Sequence, residues 1–334
     1  MSEDRRYVLK TGNSKHILWF LGAAASIWLS GCAAFPEKLE QEYQFQERAS
    51  FAVKAQDAFA DAFAKDLCVV SIDGNAGTDD MVTAEAAALF DLQNKEVRYA
   101  KNALEQMYPA SITKVMTALL AVKYGDLSDV VTVSDEVSKI TEAGATMCGI
   151  KPGDRISMEE LLYGLMLPSG NDAGVAIAMH MDGSVEAFAN RMNAEAKRLG
   201  ATGSHFENPH GLHLENHYTT VYDLYLIFQE ALKYPKFRDV IHTATHTAKY
   251  VSASGEEKQP VWQNSNWFLN GKKEPPQGVN VLGGKTGTTK AAGNCLMMGA
   301  LDEENHEYVS IVLKADSRSG LYENMYHLVD KIVN

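Results

Sequence analysis

Apolar segments of strand character stand at both ends of the region from residue 65 onward, and a long block of helical periodicity separates them. Leu67-Cys-Val-Val-Ser-Ile-Asp73 is a β-branched run closed by a turn signal. Ala86 to Leu92 and Val97 to Tyr99 flank an Asn94-Lys95 turn, which predicts a hairpin. From Ile112 to about residue 240 the pattern is helical. Val251 to Phe268 then alternates weakly, and Val281–Thr288, Asn294–Leu301 and Tyr308–Ala315 read as strands, the last two joined by a polar turn over Asp302–His306. An amphipathic helix over 320–333 closes the chain. Strands, then helices, then strands again predict an antiparallel sheet, flanked by helices, whose two halves are far apart in sequence and embrace an inserted all-helical region over about 112–245. The fold class is α/β in the broad sense, of the α+β kind.

The helical block carries its own punctuation. Pro109 before and Gly125 after the apolar run Ile112–Val122 bound one helix. Ser157-Met-Glu-Glu160 has the form of a capping box, Ser and Glu three apart ahead of Leu161-Leu162. That helix stops at Pro168, Ser169-Gly170-Asn171 occupies the break, and a second helix runs on to about Met181. Val185, Phe188, Met192 and Leu199 share one face of another helix, ended by Gly200. Thr220-Val-Tyr-Asp223 caps a further helix that ends near Pro235.

Three short motifs fall at the joints of this pattern. Ser111-x-x-Lys114 opens a helix, which puts a hydroxyl and an amine one turn apart on the same face. Such a pair can make an activated serine nucleophile, although a serine at a helix start is more often a cap. Ser169-x-Asn171 lies in the helix–helix break. Lys285-Thr286-Gly287 lies on a strand. Each is weak alone: Lys10-Thr11-Gly12 is a second Lys-Thr-Gly, placed where no catalysis is possible. Order, separation and context together are specific.

In this order the three motifs resemble those of the penicillin-binding protein and serine β-lactamase superfamily. Pro109-Ala-Ser-Ile-Thr-Lys114, Lys151-Pro-Gly-Asp154, Glu160-Leu-Leu-Tyr-Gly-Leu-Met-Leu-Pro-Ser-Gly-Asn-Asp172, Asn208-Pro-His-Gly-Leu212, His217-Tyr-Thr-Thr220 and Gly284-Lys-Thr-Gly-Thr-Thr-Lys-Ala-Ala-Gly293 narrow the likeness to the D-alanyl-D-alanine carboxypeptidases, over about residues 65–334. The resemblance implies a β-lactamase/transpeptidase-like catalytic domain, a peptidoglycan stem peptide as substrate, β-lactam antibiotics as covalent inhibitors and no cofactor. It implies that Ser111 attacks the penultimate carbonyl and forms an acyl-enzyme. Lys114 would be the base, which requires a neutral amine. Burial and a second cation, Lys285, both push a lysine that way. Ser169 would relay a proton to the departing nitrogen, and Asn171 would hold the substrate amide and Lys114. The backbone N–H groups of Ser111 and Thr288 would hold the oxyanion. Lys285, Thr286, Gly287 and Thr288 would receive the terminal D-Ala, with Arg318 after the last strand on its carboxylate.

Alternatives of the same superfamily are a DD-endopeptidase, differing in pocket shape, and a β-lactamase, for which Glu207 is present without the Glu-x-x-Leu-Asn setting of the class A enzymes. A rival of another class is a non-catalytic penicillin-sensing or cell-wall-binding lipoprotein. His210, His213 and His217 cluster as metal ligands can, but the Asn208-Pro-His-Gly-Leu212 setting resembles a structural loop of the family, which implies no metal.

The first 31 residues carry Arg5, Arg6, Lys10 and Lys15, then an apolar stretch Ile17–Leu29, then Leu29-Ser-Gly-Cys32. That is the form of a secretory leader, and Leu-Ser-Gly-Cys resembles the bacterial lipobox, which implies lipidation of Cys32. An uncleaved signal anchor is the alternative. Residues 32–64 are polar and rich in Gln, Glu and Ala, as a membrane-proximal tether would be. The expected location is the outer face of the cytoplasmic membrane. Many members of the family carry a second β-rich domain and a C-terminal membrane helix. Here only about 46 residues follow Thr288, so the lipid on Cys32 would take over the anchoring. The net charge of −12 over 334 residues disfavours nucleic acid as a partner. Cys68, Cys148 and Cys295 fit no metal motif and are expected as buried thiols.

Overall fold

A computed structural model describes residues 66–334. Cys32, the leader over 1–31 and the polar stretch over 32–64 lie outside the described residues.

The strands are β1 (Ala86–Asp91), β2 (Glu96–Lys101), β3 (Val130–Thr132), β4 (Arg155–Ser157), β5 (Thr245–Thr247), β6 (Tyr250–Val251), β7 (Glu257–Lys258), β8 (Val261–Gln263), β9 (Asn280–Thr289), β10 (Gly293–Leu301) and β11 (Glu307–Ala315). The α-helices are α1 (Lys114–Tyr124), α2 (Met158–Met166), α3 (Asn171–Asp182), α4 (Val185–Arg198), α5 (Val221–Ala231), α6 (Pro235–His242) and α7 (Arg318–Asp330). Five strands form the main sheet in the order β2-β1-β11-β10-β9, antiparallel throughout. The hairpin β1–β2 from one end of the domain pairs through β1 with β11 from the other, Ala86 opposite Leu313 and Asp91 opposite Tyr308. All the helices but α7 fall between the two halves. β9, the strand with Lys-Thr-Gly, is left at the sheet edge.

The period-two alternation of side chains divides the core. Ala86, Ala88 and Phe90 pack with Val309, Ile311 and Leu313 against the helical side, where Leu119, Tyr225 and Phe228 are buried. Ala87 and Leu89 point the other way, with Leu296, Met298 and Val312, onto Leu321, Met325, Leu328 and Val329 of α7. β1 is buried at all six positions because both faces are covered, and its sequence is apolar at five of them for the same reason.

Local chemistry sets the helix ends. The hydroxyls of Ser157, Ser184, Thr220 and Ser317 accept from the backbone N–H groups of Glu160, Ala187, Asp223 and Gly320 at the starts of α2, α4, α5 and α7. Gly183 and Gly200 take left-handed φ of +75° and +82° after α3 and α4.

Two sequence expectations differ. Leu67–Asp73 is not a strand. The N–H of Cys68 donates to the Tyr225 hydroxyl at 2.8 Å, and the Cys68 thiol donates to the Asp91 carbonyl at 3.3 Å. Val69 and Ile72, which carry the β-branched signal, are 62% and 99% exposed. Backbone groups satisfied by side chains have no need of a ladder. The region Val251–Phe268 holds only short strands, with β3, β4, β6 and β7 forming a separate small sheet and β5 pairing β8.

Candidate active site

Ser111 lies in a 3₁₀ turn, Ala110–Thr113, that leads into α1. Ala110 holds φ at +49°, a left-handed conformation that costs an alanine energy. Gly211 presses on this turn: a Cβ there would stand 1.8 Å from the Ala110 carbonyl oxygen. Lys114, the first residue of α1, is fully buried. Its Nζ lies 3.1 Å from Ser111 Oγ, 2.6 Å from Asn171 Oδ1 and 2.7 Å from the His210 carbonyl oxygen.

Asn171 opens α3, just beyond the break after α2. Its N–H donates to the Thr146 carbonyl at 2.8 Å, and the Asp172 carboxylate accepts from the N–H groups of Cys148 and Gly149, each at 2.8 Å. These bonds tie the break to the loop over residues 146–149. Ser169 sits in the break, largely buried, with φ of +68°. Gly170 is confined there: a Cβ would meet the Gly164 carbonyl oxygen at 2.7 Å and Cys148 Cβ at 2.8 Å. The Cys148 thiol is buried and its pKa is pushed well up by that burial and by the Asp172 charge, so it stays a thiol with a structural place beside the break.

β9 brings the third motif. Lys285 is buried and its Nζ donates to the Thr286 carbonyl at 2.9 Å. Gly287 touches the turn that carries Ser111 directly: a Cβ there would lie 2.9 Å from Ser111 N, 3.1 Å from Ala110 Cβ and 3.1 Å from Ile112 N. Thr286 Oγ1 is 2.6 Å from Ser265 Oγ. The Thr288 hydroxyl turns to Asn294 Oδ1 at 3.4 Å. Arg318, at the start of α7, donates to the Ser265 carbonyl at 3.1 Å and stacks over Trp267 at 5.6 Å.

The cations act on one another. Burial pushes the Lys114 pKa well below the usual lysine range, and the neighbouring Lys285 charge pushes it further, against Asp172, which pulls it up. Burial comes first and Lys285 second, so the second cation assists a shift that desolvation starts. Lys285 is itself lowered to about 7, by burial and then by the Arg318 charge. Two histidines near Ser111 and Lys114, His210 and His217, are held neutral. Burial lowers His210 well below its ordinary value and His217 to about 3. The Glu207 N–H donates to His217 Nδ1 at 3.1 Å, so the ring hydrogen sits on Nε2, 2.8 Å from Thr113 Oγ1. His217 thus braces the residue beside Lys114.

The structure therefore joins Ser111, Lys114 and Asn171 by hydrogen bonds, sets Gly287 against the backbone of Ser111, and links Thr286 to Arg318 through Ser265. All are drawn from segments that the sequence leaves far apart.

Residues 73–317 match the family model described as D-alanyl-D-alanine carboxypeptidase, peptidase family S11. The chain belongs to this family. Among its relatives, the D-alanyl-D-alanine carboxypeptidase DacF of Bacillus subtilis is 34% identical over 249 residues, 73% of this chain and 61% of the relative. The D-alanyl-D-alanine carboxypeptidase DacC of Escherichia coli is 34% identical over 244 residues, 70% of this chain and 57% of the relative. The chain thus spans about 60% of the length of these curated relatives. The crystal structure of the Streptomyces K15 DD-transpeptidase superposes with a TM-score of 0.70 at 28% identity, covering 76% of this chain and 98% of that one.

Some members of this family-S11 site carry no motif signal. The His210 carbonyl acts through its backbone, and its only sequence trace is Asn208-Pro-His-Gly-Leu212. There Asn208 Oδ1 accepts from the N–H groups of His210 and Gly211 at 3.2 and 2.7 Å and shapes the loop. Ser265 and Trp267 sit in a segment whose sequence reads only as weak strand.

Proposed function

We propose that this chain is a serine-type D-Ala-D-Ala carboxypeptidase that removes the terminal D-Ala from peptidoglycan stem pentapeptides through an acyl-enzyme on Ser111. The observation that carries this reading is the set of partners around Lys114 Nζ. A neutral amine has two hydrogens and one lone pair. Asn171 Oδ1 and the His210 carbonyl can only accept, so they take both hydrogens. The lone pair is left for the Ser111 hydroxyl at 3.1 Å. The buried, cation-flanked setting favours that neutral form. Lys114 is thus a base aimed at the nucleophile.

As Ser111 Oγ attacks the penultimate carbonyl, its proton passes to Lys114. The oxyanion forms beside Gly287, where the absence of a side chain leaves the Ser111 N–H open to it. Ser169, in the break beside Asn171, relays a proton to the departing D-Ala nitrogen. Thr286, Arg318 and Lys285 attract the terminal carboxylate, and water then releases the acyl group. β-Lactams, whose strained amide occupies the same place, acylate Ser111 and block it. Glu207 is not among the partners of Lys114, which favours the peptidase over a β-lactamase with a glutamate base. Release of D-Ala from a pentapeptide, measured beside a cross-linked dimer, tests this reading. Cleavage of the dimer alone would make the enzyme an endopeptidase. Labelling by a fluorescent penicillin, abolished in Ser111→Ala, separates it from a non-catalytic binder.

The same reading places the catalytic domain over 65–334 outside the cell, held to the membrane by a lipid on Cys32 and set off it by the tether over 32–64. Leu29-Ser-Gly-Cys32 after a basic head and an apolar run supports it. Among the described residues no helix is long and apolar enough to cross a membrane. Cys32→Ala should move the protein from the membrane to the soluble fraction with its activity intact.

A further inference from the structure

The segment Asn264–Trp267 crosses the end of the site where Thr286 and Arg318 lie. Asn264 anchors it: its amide donates to the Thr243 carbonyl at 3.0 Å, and its Oδ1 accepts from the Asn266 N–H at 2.9 Å. Trp267 anchors the other end, its ring stacked on Tyr322 with centroids 4.5 Å apart and its backbone N–H donating to the Tyr322 hydroxyl at 2.9 Å. Between these anchors the Ser265 N–H donates to the Leu167 carbonyl at 3.3 Å, and Ser265 makes two further contacts of different kinds. Its carbonyl accepts from Arg318 Nη2 at 3.1 Å, and its hydroxyl meets Thr286 Oγ1 at 2.6 Å.

Two hydroxyls hold two hydrogens. Their mutual bond uses one, and the other has no acceptor among the described residues. Thr286 is 8% exposed and Ser265 half-buried, so when Ser265 donates to Thr286 the free Thr286 hydrogen is costly unless something accepts from it. An acceptor-only group suits the site, because it can take the hydroxyl hydrogen and a guanidinium N–H together. Ser265 also fixes the second donor, since its carbonyl and the Trp267 ring hold the Arg318 guanidinium from two sides.

Resting on the carboxypeptidase reading above, we propose that Ser265 is a positioning residue for the substrate's terminal carboxylate. Its hydroxyl pairs with Thr286 so that the pair offers a single donor beside Arg318, which the Ser265 backbone carbonyl holds whatever the side chain. The residue therefore sets the preference for a free C-terminal carboxylate over a neutral C-terminus.

The test compares a pentapeptide ending in D-Ala-D-Ala with its C-terminal amide, in the wild-type chain and in Ser265→Ala and Ser265→Thr. One charge-assisted hydrogen bond corresponds to roughly ten- to a hundredfold in kcat/KM. Ser265→Ala should lose about that much on the acid and little on the amide, mainly through KM. Ser265→Thr, which keeps the hydroxyl, should restore the preference. An unchanged acid-to-amide ratio in Ser265→Ala overturns the proposal, as does an equal loss on both substrates, which marks a structural role. Failure of the wild-type chain to release D-Ala from the acid is seen before any variant is compared. It removes the carboxypeptidase reading itself and this inference with it.

Discussion

Gly287→Ala places one methyl group at the contact between β9 and the turn that carries Ser111. The added Cβ would lie 2.9 Å from Ser111 N, whereas ordinary contact begins near 3.4 Å. The two segments must part by about half an ångström. β9 cannot simply retreat, because Gly287 is paired with Cys295 of β10 behind it. The strain therefore falls on the 3₁₀ turn, and Ser111 moves relative to β9. A misplacement of 1 Å can cost about 10²-fold in rate, so half of that predicts about tenfold. The methyl also stands beside the N–H proposed for the oxyanion, and losing such a donor costs about 10²–10³-fold. Acylation should fall between these bounds. Stability should fall by only about 1–3 kcal/mol, the usual range for overpacking, which is roughly 2–12 °C in Tm for a domain of this size. The assay is the second-order rate of labelling by a fluorescent penicillin, with a thermal melt on the same sample. Wild-type acylation at a wild-type Tm would refute the packing argument. So would a slow rate explained by global unfolding at the assay temperature.

Other perturbations follow from the same geometry. Gly211→Ala drives a Cβ into the Ala110 carbonyl at a residue with φ of +84°; the expected cost is about 2–4 kcal/mol with loss of acylation, and a melt within a degree of wild type would contradict it. Lys285 has its pKa near 7 in the fold, so kcat/KM should decline as pH rises through that value and the carboxylate-attracting charge is lost. The decline should disappear in Lys285→Arg, which stays charged, and its survival there would assign it to another group. His217, lowered to about 3 from an ordinary 6.5, binds a proton in the unfolded chain but not in the fold between those values. Stability must therefore rise with pH across that window and drain away on acidification. Melts from pH 6.5 down to 4 should show a shallower slope in His217→Gln, and equal slopes would exclude His217 as a source.

The parts of the fold that were legible in the sequence are those governed by local chemistry. The caps at Ser157 and Thr220, the Asn94-Lys95 turn and the apolar runs that became β9, β10 and β11 all act within a few residues. The sheet's embrace of the helices followed from their order alone. Leu67–Asp73 misled because β-branched residues mark a strand only where a ladder is available, and here Tyr225 and Asp91 satisfy the backbone and thiol of Cys68 instead. In the site, Ser111, Lys114, Asn171 and Lys285 could be picked out because their side-chain types suit acyl transfer, and the fold does bring Ser111, Lys114 and Asn171 within hydrogen-bond reach. The His210 carbonyl and Ser265 did not. A carbonyl is common to every residue, and Ser265 matters only because Thr286 and Arg318, 21 and 53 residues away, fold onto it. The order of the two causes that lower the Lys114 pKa, burial ahead of Lys285, also needed the structure, since only the fold shows Lys114 fully buried.

The most direct test of a Ser111 acyl-enzyme served by Lys114 is D-Ala release from a pentapeptide ending in D-Ala-D-Ala, followed in the wild-type chain, Ser111→Ala and Lys114→Ala. The account predicts steady release by the wild type, none by Ser111→Ala, and a loss of several orders of magnitude in Lys114→Ala. Release that persists in Ser111→Ala, or a wild type that frees no D-Ala, would contradict it.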